Sequence, residues 1–235
     1  MKETMRNFVS VILPVHNEEK AIRKNVGDLA RAMDACGRDY EIIISEDGST
    51  DETVAAARSM LSERIRLLHN PMRQGKGAAI TKAAKEARGE IILFLDADLS
   101  SNPARVKGFV DRIADGADIV IGSRYHRDSK VKRTLLRYLA SRSFNLLVNI
   151  ILGSRLSDHQ CGFKAFRRGP AIAVVSEVRD RGWFWDTEFL VRAQRRGLSI
   201  SEMPLEWTES DTSKFNLLTD SMKMFLSMVR FGIRG

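Results

Sequence analysis

The sequence predicts an α/β domain built on a mostly parallel sheet with helices on both faces. Three observations carry that expectation. Short apolar runs alternate with amphipathic stretches through the first half of the chain, and each run leaves into a polar loop. No internal repeat, low-complexity tract or Pro/Gly/Ser-rich linker breaks the 235 residues before about residue 210, so the bulk reads as one domain. Strand–helix–strand succession of this kind implies right-handed crossovers, which keep the strands parallel.

The elements follow in order. Val9 to Val15 is an apolar run ended by Pro14 and the polar His16-Asn17-Glu18, which reads as a buried strand with a functional loop. A helix is expected from about Glu18 to Cys36, with Gly37 at its end. Tyr40 to Ser45 reads as the second strand and Glu46 to Asp51 as the loop leaving it; Thr50 or Asp51 can cap a helix over Glu52 to Ser62. Ile65 to His69 is a third strand, Gly75 to Arg88 a helix, and Ile91 to Leu95 an apolar strand running into Asp96-Ala97-Asp98. Beyond it, Asp118 to Gly122 is expected as strand and Ser123 to Lys132 as a basic loop. Thr134 to Leu152 and Trp183 to Arg196 read as helices, Ile200 to Trp207 as a strand, and about Phe215 to Ile233 as a final helix. The expected division is a domain over 1–210 and an amphipathic C-terminal helix over 211–235. In open parallel sheets ligands bind at the carboxyl ends of strands, where these polar loops lie.

A net charge of +8 makes the surface favour anions: nucleic acid, anionic lipid or phosphorylated ligands. Cys36 and Cys161 form no metal or disulfide pattern, which suits a reducing compartment. Met1 to Phe8 lacks the apolar run of a signal peptide, and no stretch reaches the roughly 18 apolar residues of a spanning helix. The expectation is a protein that lies on a membrane without crossing it. From Arg124 to Arg142, seven Lys or Arg residues stand against one acid, Asp128, a balance of +6. On a helix Arg133, Arg137, Ser141, Asn145 and Asn149 fall four apart in one polar stripe, with Leu135, Leu136, Leu139, Leu147, Ile150 and Ile151 on other faces. Such a stripe suits a solvated face of a core helix, a helix on an anionic membrane, or one cradling a lipid phosphate. The final helix sets a Met-rich apolar side against Lys223, Ser227, Arg230 and Arg234. No nucleic-acid-binding module is recognised, so nucleic acid is not an expected partner.

Asp96-x-Asp98 after an apolar strand can share a hard cation with a substrate diphosphate. Alone, it is equally a solvated turn with Asp98 capping a helix near Pro103. Asp47 before Gly48 can bond a nucleobase or ribose edge, or belong to a plain Asp-Gly turn. Gly75-Lys76-Gly77 opens a helix as an anion site or as a tight basic turn, and it does not match a P-loop.

In chain order these are Leu13-Pro14-Val15-His16-Asn17-Glu18, Glu46-Asp47-Gly48-Ser49, Gly75-Lys76-Gly77, Asp96-Ala97-Asp98, Gly122-Ser123-Arg124 and Gln160-Cys161-Gly162-Phe163-Lys164. Together they resemble the inverting GT-A-fold glycosyltransferases of family 2, specifically dolichyl-phosphate mannose and dolichyl-phosphate glucose synthases, over about residues 8 to 215. The block Asp158-x-Gln160-Cys161-Gly162-Phe163-Lys164 and the later Trp207-Thr208-Glu209 with Ser213-Lys214 mark the polyprenyl-phosphate branch.

The resemblance implies a nucleotide-sugar-binding, Rossmann-like sheet and transfer of mannose or glucose, from GDP-mannose or UDP-glucose, to a polyprenyl or dolichyl phosphate. It implies Mg²⁺ or Mn²⁺ as cofactor and a peripheral place on the cytoplasmic face of a membrane. Pro14, Asn17, Glu18, Asp47, Lys76, Asp96, Ala97 and Asp98 would surround the nucleotide sugar, with Asp96 and Asp98 at the metal. Arg124, Arg137 and Ser141 would hold the acceptor phosphate, and catalysis would depend on Asp98, Arg124 and Arg137. Glu46 stands where the family often has Asp, His16 where Tyr is frequent, and Ser100 where some members place a metal-binding Gln. A rival transferase with a hydroxyl acceptor would need a base, for which Asp158, Asp186 and Glu188 are candidates. A basic module without catalysis is the third reading.

Overall fold

The computed structural model describes residues 8–209 and 215–234. The first half runs β1 (Val9–Val15), α1 (Ile22–Cys36), β2 (Tyr40–Asp47), α2 (Thr53–Arg58), β3 (Ile65–Asn70), α3 (Lys76–Glu86), β4 (Ile91–Leu95) and α4 (Val106–Ala114). The second half runs β5 (Ile119–Ser123), β6 (Lys130–Lys132), α5 (Leu135–Leu152), β7 (Phe163–Arg167), α6 (Arg168–Glu177), α7 (Trp185–Arg195), β8 (Ile200–Pro204), β9 (Glu206–Thr208) and α8 (Thr219–Arg234). A seven-stranded sheet has the order β3-β2-β1-β4-β7-β5-β8, and β6 and β9 form a separate ribbon. The expected parallel pairing holds for β1 with β2 and β4 and for β2 with β3, while β7 lies antiparallel between β4 and β5.

Alternation along the strands divides the core. Val9, Val11, Leu13 and Val15 of β1 pack with α1 and α4 on one face, and Ile12 packs with α3, α6 and α7 on the other. Register is therefore strongly specified, because a one-residue slip would exchange these sets. Pro14 is tolerated inside β1 because pairing with β4 ends at Ile12, so no ladder donor is needed on that side. The space opened where β4 stops is the start of the site.

Several elements differ from the sequence expectation. β2 continues through Asp47, so Glu46 and Asp47 are strand residues, not loop. α1 begins at Ile22, after a turn, and not at Glu18. The single strand expected over Ile200 to Trp207 is split at Leu205, just after Pro204, and β9 leaves the main sheet to pair with β6. The sequence reading gives no expectation for β7 or α6 and only a helix near Pro103 for α4, although Val106, Phe109, Val110 and Ile113 give α4 a clear buried stripe. The boundary expected at 210/211 and the Ser213-Lys214 pair lie outside the described residues.

α5 is amphipathic in the opposite sense to a core helix. Its polar stripe turns inward, where Arg133 (just before the helix), Arg137 and Ser141 line a cavity and Asn145 is buried. Its apolar residues face out, with Leu135 72% and Ile150 70% exposed. α5 is long and apolar enough to cross a membrane by length and composition, which the sequence reading had not expected. Here it lies along the domain, with Val148 and Leu152 packed against Phe184, Val191, Met224, Met228 and Phe231 of α7, α8 and the turn before α7. α8 likewise buries Met224, Met228 and Phe231 and leaves Met222, Leu226 and Ile233 exposed, with Leu218 exposed just before it.

Candidate active site

A cavity of about 740 Å³ opens at the carboxyl ends of β1, β2 and β4. Of the residues expected around a nucleotide sugar, Pro14, Glu18, Asp47, Lys76, Asp96, Ala97 and Asp98 line it. Asn17 does not line it. In a left-handed conformation (φ 54°), Asn17 accepts the Thr50 N–H on Oδ1 at 2.8 Å, stitching the loop after β1 to the loop after β2. Asp47 braces a third loop: its carboxylate accepts the Gln74 N–H at 2.9 Å and the Gly75 N–H at 2.7 Å. Glu46 is buried behind it, 2.5 Å from His69 Nδ1. The backbone at Gly75 has φ 112°, and a Cβ there would stand 2.3 Å from the Arg181 carbonyl. Close packing on the loop before α7 thus accounts for that glycine, and Lys76 is aimed at the acids beyond.

Lys76 Nζ lies 2.6 Å from Asp96 Oδ1, 3.5 Å from Asp186 Oδ2 and 5.2 Å from the Trp183 ring centre. Burial would favour the neutral amine, but Asp186 and Asp96 hold Lys76 protonated. Asp98 has the opposite problem: burial, and then the like charge of Asp96, raise its carboxyl above the usual range. Asp98 does not cap the turn at Pro103, since Asn102 Oδ1 accepts the Ala104 N–H there. Instead it accepts the Ser100 N–H at 2.9 Å across Leu99, whose φ of 45° is strained for a leucine. Asn25 of α1 clamps the same turn through the Ala97 carbonyl at 2.7 Å. On the other side Gly162 leaves room for the Asp96 carboxylate: a Cβ would sit 1.9 Å from Asp96 Oδ2, so a side chain there would displace that carboxylate. Two hard carboxylates side by side suit a divalent cation shared with a diphosphate. Among the described residues no third His, Cys, Asp or Glu joins them, so other ligands would have to come from the substrate or water.

The same cavity reaches the basic segment. Arg124 forks onto the buried Asp158, Nε and Nη2 each at 2.8 Å, above the Trp207 ring. Burial alone would raise Asp158, yet Arg124 holds it below the usual carboxylate range. Arg137 Nε lies 2.7 Å from Glu209 Oε1. Ser141 Oγ is 2.6 Å from the Tyr125 hydroxyl and 3.0 Å from Arg133 Nη1. The three carboxylates considered as bases are all engaged. Asp158 is held by Arg124, and Asp186 is 1% exposed and 2.5 Å from the buried Lys164 ammonium. Glu188 accepts the Arg179 and Asp180 N–H groups and Arg192 Nε. For Asp186, burial is outweighed by Lys164 and Lys76, which keep it ionised.

Residues 10–175 match the family model described as glycosyl transferase family 2. The chain belongs to that family. It is 38% identical over 227 residues to glycosyltransferase AglD of Haloferax volcanii, covering 94% of this chain and 36% of AglD, so it spans about a third of that relative. It is 32% identical over 244 residues to a dolichyl-phosphate beta-glucosyltransferase of Saccharomyces cerevisiae, covering 94% of this chain and 73% of that one. Among solved structures, glucosyl-3-phosphoglycerate synthase from Mycobacterium tuberculosis, in complex with Mn²⁺, UDP and glucosyl-3-phosphoglycerate, superposes with TM-score 0.74 at 22% identity. That match covers 96% of this chain and 80% of the other, and it shares the GT-A fold.

Sequence reasoning about this family 2 glycosyltransferase missed the partners of its arginines. The sequence offers Asp158 as a base and as part of a family motif, and Glu209 as part of a motif; the structure makes each an anchor for a guanidinium. Arg133 was one member of a stripe, with nothing to distinguish it. The four-residue spacing from Arg133 to Arg137 to Ser141 was the available signal for a shared site.

Proposed function

We propose that this chain moves a hexose from a nucleoside-diphosphate sugar to a polyprenyl or dolichyl phosphate at the cytoplasmic face of a membrane. Glucose from UDP-glucose is the favoured donor over GDP-mannose, because the relatives named above include a dolichyl-phosphate glucosyltransferase. One observation carries the reading: a single cavity joins the Asp96–Asp98 turn to Arg124, Arg137 and Ser141, and then to an apolar wall of Leu147, Leu218, Met222 and Phe225. A sugar diphosphate, an anionic acceptor and a hydrocarbon chain each meet matching chemistry along it.

In the proposed step an acceptor phosphate oxygen bonds to the anomeric carbon while that carbon's bond to the diphosphate oxygen breaks, inverting the centre. The bonding pair leaves with the nucleoside diphosphate. The attacking oxygen is already ionised near neutral pH, so no proton need be removed. That agrees with Asp158, Asp186 and Glu188 all being held by cations. Asp96 and Asp98 would hold a divalent cation, Mg²⁺ or Mn²⁺, which when bound neutralises diphosphate charge. Lys76 adds a fixed ammonium beside those carboxylates, and the arginines position the second anion against the repulsion of the first. The outward apolar rows of α5 and α8, with the basic segment beside them, support docking on anionic lipid.

The test is transfer from a panel of radiolabelled nucleotide sugars to polyprenyl phosphate, with polyprenol as the parallel acceptor and Mg²⁺ or Mn²⁺ present. Label should enter the phosphate and not the alcohol. Comparable labelling of the alcohol would establish the hydroxyl-acceptor reading instead.

A further inference from the structure

We propose that Arg133 supplies the unspent positive charge that binds the acceptor phosphate, an inference resting on the lipid-phosphate reading above. The other two arginines at this end of the cavity already have their charge matched. Arg124 is forked onto Asp158 and Arg137 lies on Glu209 at 2.7 Å, so each pair sums to zero. A guanidinium in such a pair can still offer a hydrogen bond, but it no longer presents net charge to a phosphate of about −1.5 to −2.

Arg133 is different. Among the described residues it has no carboxylate partner. Its guanidinium carbon stands 4.8 Å from the Tyr125 ring centre and 4.7 Å from that of Tyr138. Nη1 donates to Ser141 Oγ at 3.0 Å. Aromatic faces attract a cation and restrict where it can go, yet they leave its charge uncancelled. Arg133 is therefore held in place and electrostatically available, the combination that a preorganised anion site needs. Arg133 and Ser141 both line the cavity, so a phosphate that reaches Ser141 reaches this cation too. Glu209 then has a positioning role: its Oε2 accepts the Thr134 N–H at 2.9 Å, at the cap of α5, while Oε1 holds Arg137.

The experiment compares wild type, Arg133→Gln, Arg133→Lys and Arg137→Gln in initial-rate kinetics with each substrate varied, and in calorimetric binding of a short-chain isoprenyl phosphate without nucleotide sugar. Arg133→Gln should raise KM for the lipid phosphate about ten- to a hundredfold, the size of a charge-assisted contact. KM for the nucleotide sugar should stay within about twofold. Arg133→Lys keeps the charge but loses the fork, so it should recover part of the affinity. The salt dependence of acceptor binding should flatten in Arg133→Gln and persist in Arg133→Lys. An acceptor KM unchanged in Arg133→Gln but raised tenfold or more in Arg137→Gln would overturn the assignment in favour of Arg137. Equal rises in both KM values in a folded Arg133→Gln would reduce Arg133 to a structural role; if Arg133→Gln does not fold, a folded Arg133→Lys decides, and loss of the salt dependence of its acceptor binding would overturn the assignment. If wild type neither binds isoprenyl phosphate nor uses it, the lipid-phosphate reading itself fails and takes this assignment with it.

Discussion

Acidification from pH 7 towards 4 should remove stability before the paired carboxylates titrate, and His159 is the reason. Its ring is buried, with Nδ1 2.8 Å from Asn145 Oδ1 and Nε2 2.7 Å from Ser154 Oγ. The His159 backbone N–H also donates to Asn145 Oδ1, at 3.0 Å, which fixes the orientation of that amide. Nδ1 therefore carries the proton and Nε2 accepts from Ser154, so the neutral imidazole is satisfied at both ends. Burial pushes its pKa down to about 4 from an ordinary value of 6.5. Between those values the unfolded chain binds a proton that the folded one refuses, so stability falls as pH falls. A window of about 2.5 pH units at about 1.36 kcal/mol per unit corresponds to about 3 kcal/mol, fully present above pH ~6.5 and lost by pH ~4. Asp158 and Asp186, held below the usual range against burial by their cationic neighbours, would contribute losses only below about pH 4. Urea unfolding, followed by circular dichroism at half-unit steps from pH 7 to 4, separates the windows. Wild type should lose stability from about pH 6.5, and His159→Gln, which cannot titrate there, should stay nearly flat. The same slope in both proteins would refute the reasoning. Because His159 follows Asp158 directly, its protonation should also loosen the Arg124–Asp158 fork and depress transfer.

Asp98→Ala should fold with an unchanged unfolding midpoint and lose detectable transfer, and near-normal rates in the folded variant would remove Asp98 from the metal site. Asp158→Asn leaves a buried Arg124 half-paired; removing one partner of such a pair costs about 3–5 kcal/mol, measurable by urea unfolding. A loss under about 1 kcal/mol would mean that the fork is not structural. Ile150→Glu should reduce sedimentation with anionic vesicles while nucleotide binding is retained, and wild-type binding should weaken as salt rises. Undiminished sedimentation of that variant would take α5 out of the membrane contact.

Much of the fold is legible because local chemistry settles it. The apolar runs of β1 and β4, Gly37 after α1 and the acidic turn after β4 follow from periodicity, capping and turn propensity. Pairing is not local. β7 carries the charged Lys164 at its second position and reads poorly as a buried strand, because the Asp186 carboxylate that makes this burial possible comes from α7. The break after β8 is hinted at by Pro204, but that β9 crosses to β6 depends on where the basic segment runs.

The candidate site divides the same way. The sequence by itself determined that two carboxylates end an apolar strand and that polar residues recur every fourth position from Arg133 through α5, because those patterns are written in neighbouring residues. Only the tertiary structure decided which of the cations are free to act. A helix with one polar and one apolar face can be placed either way round, and in water the apolar face ordinarily turns inward. Here Glu209, His159 and Tyr125 approach from outside the helix and give Arg137, Asn145 and Ser141 of the polar stripe partners inside. The leucines and isoleucines are left facing out, and charge is matched on Arg124 and Arg137 but not on Arg133, because the neutralising carboxylates arrive from 34 and 72 positions away.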